Sequence, residues 1–339
     1  MTAKLKVWVS RPIFPEVLAR LAEYFDVQAE AADRSYSAAE LKDKLAGVDA
    51  ALVGLADRVD ASVLEGNQRL KVIANLGVGY NNLDIDALTR AGVLASNTPD
   101  ILNETVADFA WALMLAAARR VGAAERWLRT GQWAGSRLRF DDWMGLDVHG
   151  RTLGILGMGR IGQAIARRGA GFDMRVIYHN RSRLPEPLER ECRACLVSKP
   201  ELLQQADFLI LVLPFTPENY HAIGAPELAQ MKRTAVLVNI ARGGIVDDAA
   251  LAESLREGRI AAAGLDVFEG EPAVHPDLMV LDNAVLSPHI ASASEDTRRG
   301  MANMAADNVI AALGYGEAAG KPPTPLNPVV MNRWKTPKA

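Results

Sequence analysis

One glycine-rich stretch, residues 151–183, constrains the fold of this chain more than any other segment. A short apolar run, Thr152–Leu156, leads into a G-x-G-x-x-G turn, after which a helical pattern and a second apolar run follow. The turn consists of Gly157, Met158, Gly159, Arg160, Ile161 and Gly162. Strand, glycine turn, helix and strand in this order are typical of a dinucleotide-binding βαβ unit.

Each glycine of this turn has a predicted task. Gly157 allows the sharp turn, Gly159 lets the backbone approach a pyrophosphate, and Gly162 lets the helix pack closely on the strand. The unpaired N–H groups at the start of the helix, with the helix dipole, would then bind the pyrophosphate. A purely structural turn is the alternative, but the flanking strands and helix favour a dinucleotide site.

The residues after the second strand predict which dinucleotide is bound. A site for NAD places Asp or Glu there to bind the ribose, whereas a site for NADP places Arg near the 2′-phosphate. Here the positions are Asn180, Arg181 and Ser182, and the first carboxylate is Glu186. Arg181 and Ser182 could bind the phosphate, so we predict that NADPH is preferred over NADH by about tenfold or more. The alternative is that Arg181 is a solvated loop charge.

The length and charge of the chain argue against several classes of protein. A length of 339 residues suggests about two domains. The net charge of −3 offers no basic surface for nucleic acid. The longest apolar stretches, residues 109–118 and 208–215, are shorter than the roughly 18 residues that a membrane span needs, and no signal segment precedes them. We therefore expect a cytoplasmic protein without a nucleic-acid or membrane partner.

Two cysteines, Cys192 and Cys195, form the only C-x-x-C pattern. One such pair cannot complete a zinc site with four ligands, and no histidine follows at finger spacing. We expect no metal here, and we interpret the pair as part of a helix-to-strand connection in a reducing compartment.

Both halves of the chain alternate apolar strand patterns with helical patterns. Ser37, with Glu40 three residues later, predicts a capping box at the start of one helix. Other helices are predicted at residues 15–24, 85–91 and 247–257, and strands at 5–9, 50–53, 71–74, 208–212, 235–239, 261–265 and 284–287. Such alternation predicts an α/β fold with parallel sheets covered by helices on both faces.

Two long helical patterns predict how the domains are divided. Residues 104–120 should join the domains, and residues 294–313 should form a helix that returns to the first domain. We therefore expect a discontinuous substrate-binding domain, 1–103 with 293–339, and a nucleotide-binding domain, 104–292. Residues 121–148 read as an irregular, tryptophan-rich arm, which either contacts a second subunit or is braced within its own chain. The proline-rich tail should be irregular or extended.

A second glycine-containing loop follows the strand at residues 71–74. It contains Leu76, Gly77, Val78 and Gly79, but Asn82 stands where a phosphate loop has its third glycine. We therefore predict no second dinucleotide site. The loop amides could hold a small carboxylate, and an ordinary strand-to-helix turn is an equal alternative on composition alone.

Three polar residues, Arg242, Glu271 and His289, lie at predicted strand ends in the second half. Doubly wound sheets bind their ligands at this edge. A guanidinium can bind a carboxylate by two bonds, and an imidazole changes its charge near neutral pH. A carboxylate beside the imidazole would orient it and favour its charged form.

With these motifs, the chain resembles the D-2-hydroxyacid dehydrogenases, and within them the glyoxylate/hydroxypyruvate reductases and 2-ketogluconate reductases. The matching motifs are residues 75–84, 156–162, 239–243, 264–272 and 287–292. The resemblance implies two doubly wound domains, one of Rossmann type that binds NADP and one flavodoxin-like. Two similar classes of enzyme fit the sequence less well. Formate dehydrogenases carry Gln where Glu271 stands, and the longer phosphoglycerate dehydrogenases carry a regulatory domain for which the chain after Leu313 is too short.

The resemblance also implies residue roles. Arg242 would bind the keto acid and His289 would be the acid/base paired with Glu271. Amides of the 76–79 loop would hold the substrate carboxylate, and Trp143 would approach the neighbour's site in a homodimer. The cofactor would further contact Thr105, Leu213, Pro214, Ile240, Ala241, Arg242, Asp266 and His289.

We therefore expect NADPH-dependent reduction of a small 2-keto acid, such as glyoxylate or hydroxypyruvate, to the D-2-hydroxy acid, in a cleft between the two domains. One alternative is a reductase for a larger sugar acid such as 2-ketogluconate. Another is a nucleotide-sensing binding protein similar to the C-terminal-binding-protein corepressors, since fold does not fix function.

Overall fold

The computed structural model describes residues 3–334, and the chain divides into two compact units. The first unit contains the residues up to Leu102 and those from Ser294 onward, and the second is Asn103–Ala293. Each unit is built on one parallel sheet with helices beside it, as predicted. The roles in substrate and cofactor binding stay predictions.

The first sheet has five strands among the described residues, in the order β2-β1-β3-β4-β5. The strands are β1 (Lys6–Val9), β2 (Asp26–Ala29), β3 (Ala50–Val53), β4 (Val72–Asn75) and β5 (Leu94–Ser96). The helices between them are α1 (Pro15–Tyr24), α2 (Ala38–Ala46), α3 (Ala61–Leu64) and α4 (Ile85–Ala91). All neighbouring strands are parallel, and the order is that of flavodoxin-like sheets.

The second unit begins with two helices and continues as alternating strands and helices. The helices are α5 (Asn103–Ala118), α6 (Val121–Arg129), α7 (Arg160–Gly169), α8 (Glu186–Cys192), α9 (Lys199–Gln205), α10 (Ala225–Leu228), α11 (Asp248–Arg256) and α12 (Pro276–Met279). The strands are β6 (Thr152–Leu156), β7 (Arg175–His179), β8 (Ala194–Leu196), β9 (Phe208–Leu211), β10 (Val236–Asn239), β11 (Ala262–Leu265) and β12 (Ala284–Leu286).

These strands form a parallel sheet in the order β12-β11-β10-β9-β6-β7-β8, which contains the Rossmann arrangement. The strand order reverses between β6 and β9. The glycine turn follows β6 and therefore lies at the switch point, where such sheets bind nucleotides.

Helix α5 is built into the second unit. It packs against α7, β10 and β11. The Trp111 indole donates to the Ile165 carbonyl over 3.1 Å, and its ring stacks on Phe172 with centroids 4.6 Å apart.

The prediction of a wholly irregular arm at residues 121–148 was wrong at its start, because Val121–Arg129 is helix α6. Arg120 has a φ of 54°, which ends α5 and lets the chain begin a new helix. The remainder of the arm consists of turns and loop.

The C-terminal part adds α13 (Glu295–Ala312) and α14 (Val329–Trp334). Helix α13 packs on α1, β3 and β4, so it returns to the first unit as predicted. The tail is mostly irregular, but α14 was not predicted. Asn327 holds the tail by accepting from the Ala95 N–H and donating to the Val93 carbonyl.

Within residues 3–334, no helix combines the length and apolar character that a bilayer crossing requires. The same residues contain no group of three His, Cys, Asp or Glu side chains arranged to hold a metal ion. Cys192 ends α8 and Cys195 lies in β8, both as free thiols, so the predicted position of the pair at a helix-to-strand connection is confirmed.

Candidate active site

Arg242 lies in the turn that follows β10. Asn239 shapes this turn, because its side chain accepts from the Ala241 N–H at 3.1 Å and donates to the Arg242 carbonyl at 3.3 Å. The Arg242 guanidinium donates to the Ala241 carbonyl over 2.6 Å. Burial lowers the pKa of Arg242 and the nearby charge of Glu271 opposes this, but a guanidinium remains cationic at neutral pH.

His289 and Glu271 form a hydrogen-bonded pair between the turns after β12 and β11. His289 Nδ1 lies 2.8 Å from Glu271 Oε2. A carboxylate can only accept, so the Nδ1 proton lies between them and Nε2 remains for a substrate. Both side chains are about one-third exposed, at 32% each. A ligand can therefore reach the pair.

The ionised form of Glu271 is favoured in this position. Burial alone would raise its pKa, but the hydrogen bond and charge of His289, the Phe268 N–H and Arg242 together lower the pKa below its ordinary value. The Phe268 N–H donates to Glu271 Oε1 over 2.9 Å. A fixed carboxylate of this kind favours the charged form of the imidazole beside it.

Asp266 holds the turn that carries His289. It is completely buried. Its carboxylate accepts from the Ser287 hydroxyl at 2.7 Å and from the Ile290 and Ala291 N–H groups, both at 2.8 Å. His289 has a φ of 54°, and these bonds fix the turn in that conformation. Sequence reasoning missed this brace; the cofactor contact implied for Asp266 stays a prediction.

The glycine turn has the geometry that a pyrophosphate needs. Gly157 has a φ of 102°, and a Cβ there would lie 2.8 Å from the Leu213 nitrogen. A Cβ on Gly162 would lie 2.5 Å from the Gly157 carbonyl oxygen, so the start of α7 packs tightly on the turn. Gly159 faces open space instead. The turn therefore fits a dinucleotide, whose phosphates would lie at the N-terminus of α7.

Asn180 supports the glycine turn. Its Oδ1 accepts from the Met158 N–H at 2.7 Å, which ties the end of β7 to the turn after β6. Met158 as a whole is buried, with 1% of its surface exposed. Beyond Asn180, Arg181 and Ser182 are exposed.

A carboxylate that the sequence reasoning did not consider reaches this end of β7. Glu189 of α8 is buried and accepts a two-point ion pair from Arg183, at 2.8 and 3.0 Å, and the Tyr178 hydroxyl at 2.6 Å. Burial and this bond raise the pKa of Tyr178 to about 12. Glu189 thus pairs with Arg183, whose side chain is still 69% exposed, whereas Arg181 is exposed and is not bound by Glu189.

The loop after β4, in the first unit, is held by its carbonyls. Those of Gly77, Val78 and Gly79 accept from the Thr98 N–H, the Asn97 side chain and the Asn75 side chain. Asn82, at the third glycine position, donates to the Gly54 and Asp57 carbonyls at 3.1 Å each. Its side chain fastens neighbouring loops together, and the absence of a second dinucleotide site stays a prediction from the missing third glycine.

Trp143 is braced within its own chain. Its ring lies 5.3 Å from that of Trp127, and the Arg120 guanidinium lies 5.3 Å above it. Other apolar side chains of the arm are exposed, among them Phe140 at 101% and Trp133 at 53%.

The second unit thus brings most predicted site residues to one sheet edge. Thr105 lies in the first turn of α5, Arg160 and Ile161 begin α7, Leu213 and Pro214 follow β9, and Ile240 and Ala241 follow β10. Leu76, Gly77, Val78 and Gly79 belong to the first unit.

The profile of a known protein family matches this chain. The NAD binding domain of the D-isomer specific 2-hydroxyacid dehydrogenases matches residues 111–291, which contain the glycine turn, Arg242, Glu271 and His289.

Curated relatives and solved structures are similar to this chain over nearly its full length. A glyoxylate reductase from Thermococcus onnurineus is 47% identical over 331 residues, covering 97% of this chain and 98% of the relative. A glyoxylate reductase from Paecilomyes thermophila has a TM-score of 0.84 at 33% identity, covering 96% of this chain and 99% of that one. An NADPH-dependent glyoxylate/hydroxypyruvate reductase from Sinorhizobium meliloti, solved with NADP and malonate, has a TM-score of 0.82 at 35% identity, covering 96% and 98%. The chain therefore belongs to the D-isomer specific 2-hydroxyacid dehydrogenase family.

Proposed function

We propose that this enzyme reduces a small 2-keto acid, glyoxylate or hydroxypyruvate, to the D-2-hydroxy acid with NADPH. The observation that carries the proposal is the His289–Glu271 pair, joined over 2.8 Å at the sheet edge where Arg242 also lies. Relatives that are named glyoxylate reductases support the substrate class.

The protein's own residues supply binding and a proton. Arg242 binds the substrate carboxylate and stabilises negative charge on the reacting oxygen. His289, protonated and oriented by Glu271, donates the proton on Nε2 to that oxygen as the carbonyl becomes a hydroxyl. A bound nicotinamide supplies the hydride that reduces the carbonyl carbon. In the first unit, the Val78 and Gly79 amides of the loop after β4 are proposed to bind the substrate carboxylate.

The preference for NADPH rests on the end of β7. Arg181 and Ser182 are exposed, and Glu189 is buried against Arg183 and Tyr178. The guanidinium of Arg181 and the hydroxyl of Ser182 can therefore bind a 2′-phosphate, while the Glu189 carboxylate is already paired. The NADP found in the Sinorhizobium meliloti structure supports the same choice.

We also propose that the protein is a cytoplasmic homodimer that associates through the arm at residues 121–148. The support is the exposure of apolar arm side chains, with Phe140 at 101% and Met144 at 66%. Aromatic and methionine side chains are enriched in subunit interfaces.

The experiment uses the purified full-length chain with NADPH or NADH and a series of 2-keto acids of increasing length. We expect loss of NADPH absorbance with glyoxylate or hydroxypyruvate at a higher kcat/KM than with 2-ketogluconate. A preference for the sugar acid would replace the proposed substrate. NADPH binding without turnover of any keto acid would instead indicate a nucleotide-sensing protein.

A further inference from the structure

We propose that Tyr220 and His221 are positioning residues for the His289–Glu271 pair and that they act through the carboxylate of Glu269. The inference rests on the proposed function, because it assigns these residues to the same reaction. None of the three was expected at the site from the sequence. All of them lie in the second unit, on the turns that follow β9 and β11.

Glu269 is held at both of its oxygens. The Tyr220 hydroxyl donates to Oε1 over 2.7 Å, and His221 Nε2 lies 2.9 Å from Oε2. The two rings stack with centroids 3.9 Å apart, so they form one rigid support. The hydrogen bonds of His221 and Tyr220 lower the pKa of Glu269, which keeps the carboxylate ionised.

Glu269 is linked to Glu271 through a short turn. The Glu269 N–H donates to Asp248 Oδ2 over 3.0 Å, and the neighbouring Phe268 N–H donates to Glu271 Oε1 over 2.9 Å. The position of the turn therefore sets the position of the Glu271 carboxylate. Glu271 in turn orients the imidazole of His289 over 2.8 Å.

The loop that contains Tyr220 and His221 also contacts the turn that carries Arg242. The His221 N–H donates to the Gly244 carbonyl over 2.8 Å, and the Ile223 N–H donates to the Ile245 carbonyl over 3.1 Å. A Cβ on Gly243 would overlap the Phe268 carbonyl oxygen, so the turns after β10 and β11 are in direct contact. One loop thus fastens the turns that carry both Arg242 and Glu271.

His221 lies between two carboxylates, one at each ring nitrogen. Asp247 Oδ2 lies 3.7 Å from His221 Nδ1, and Glu269 lies on the other side of the ring. Burial raises the pKa of Asp248, the partner of the Glu269 N–H. At about one-third exposure, His221 (30%) and Glu269 (38%) are accessible to substitution without opening the core.

The first test is a double-mutant cycle on kcat with NADPH and glyoxylate. We expect Glu269→Ala to lower kcat by about tenfold or more, because small misplacement of a reacting group is costly, with little change in the KM for NADPH. In a Glu271→Gln background, the same change should cost less than about twofold, because its path to His289 is already broken. Costs that multiply would show that Glu269 acts independently and would overturn the proposal.

The second test needs no catalysis. The Nδ1 proton of His289 is followed by NMR at constant pH, after assignment among the five histidines. Because this proton lies in the 2.8 Å bond to Glu271, its chemical shift should change in Glu269→Ala and stay in place in Glu253→Gln, an exposed control glutamate that pairs with Arg259. An unchanged shift of this proton in Glu269→Ala would overturn the proposal.

Tyr220→Phe removes only the hydroxyl that donates to Glu269, and it replaces Glu269→Ala in both tests if that variant does not fold. We expect Tyr220→Phe to change kcat and the NMR signal of His289 in the same direction as Glu269→Ala, but by less. A Tyr220→Phe variant in which both quantities are unchanged would contradict the inference. The two proposals can fail separately. If Glu269→Ala changes the NMR signal of His289 but the wild-type chain reduces neither glyoxylate nor hydroxypyruvate, the proposed function is refuted and the positioning role stands.

Discussion

The imidazole of His289 is the group on which the proposed proton transfer depends. Its Nδ1 is bound by Glu271, which leaves Nε2 for the substrate oxygen. We expect His289→Ala to lower kcat for glyoxylate reduction by about 10²–10⁴-fold, the usual loss when a general acid is removed. His149→Ala, at an exposed histidine, is the control and should retain the wild-type rate. A His289→Ala variant with wild-type kcat would remove this residue from the mechanism.

Glu271 should set the pH range of the reaction. Its pKa is lowered against the effect of burial, chiefly by His289, so the carboxylate is ionised at neutral pH and favours protonated imidazole. Reduction uses the protonated form and is lost as pH rises. In Glu271→Gln the alkaline fall of kcat should therefore begin at lower pH. The pH profile of NADPH oxidation measures this, and a profile that moves to higher pH would contradict it.

Arg181 should decide between the two cofactors. Arg181→Asp would repel a 2′-phosphate and could accept from a ribose hydroxyl, so the ratio of kcat/KM for NADPH over NADH should fall by about tenfold or more. Arg190→Asp, an equal charge change on α8, should leave the ratio unchanged. Equal kcat/KM for both cofactors in the wild-type enzyme would refute the predicted preference.

At the scale of elements, the contact between α7 and the glycine turn determines whether the nucleotide site forms. Gly162→Ala would place a methyl 2.5 Å from the Gly157 carbonyl oxygen and push the helix away. We expect a loss of about 1–3 kcal/mol in the free energy of unfolding, as for other overpacked sites, and weaker NADPH binding. Denaturant titration and nucleotide fluorescence measure the two effects.

Gly171 provides the matched control for this prediction. It lies in the same unit, and a Cβ there would meet nothing within 4 Å. Gly171→Ala should therefore leave stability and NADPH affinity near wild type. An equal loss in both variants would mean that the packing of α7 is not the cause.

At the scale of the whole molecule, association should depend on the exposed apolar side chains of the arm. Replacing Trp133 and Phe140 with serine should convert a dimer to a monomer, because an interface loses its aromatic anchors. Light scattering after size-exclusion chromatography gives the mass. Val329→Ser, at a residue 53% exposed in α14, should remain dimeric. A double variant that remains dimeric would place the interface elsewhere.

Long, strongly patterned elements were predictable from the sequence. Helices α1 and α4 begin and end at the predicted residues, and the Ser37–Glu40 capping box is present. Strands β2, β5 and β8 were missed because their residues, Asp-Val-Gln-Ala, Leu-Ala-Ser and Ala-Cys-Leu, do not form the run of large apolar side chains that marks a buried strand. Helix α6 was missed because its tryptophan and charges were read as an irregular arm.

By itself, the sequence determined the alternation of strands and helices, the glycine turn and the residues available for chemistry. These follow from local periodicity and from residue types that suit one backbone conformation. Only the tertiary structure decided which polar groups meet: Asp266 with the turn of His289, Glu189 with Arg183 and Tyr178, and Glu269 with Tyr220 and His221. The physical reason is that a hydrogen bond depends on distance and direction within about 3 Å, which strand order and loop packing fix and which sequence spacing does not encode.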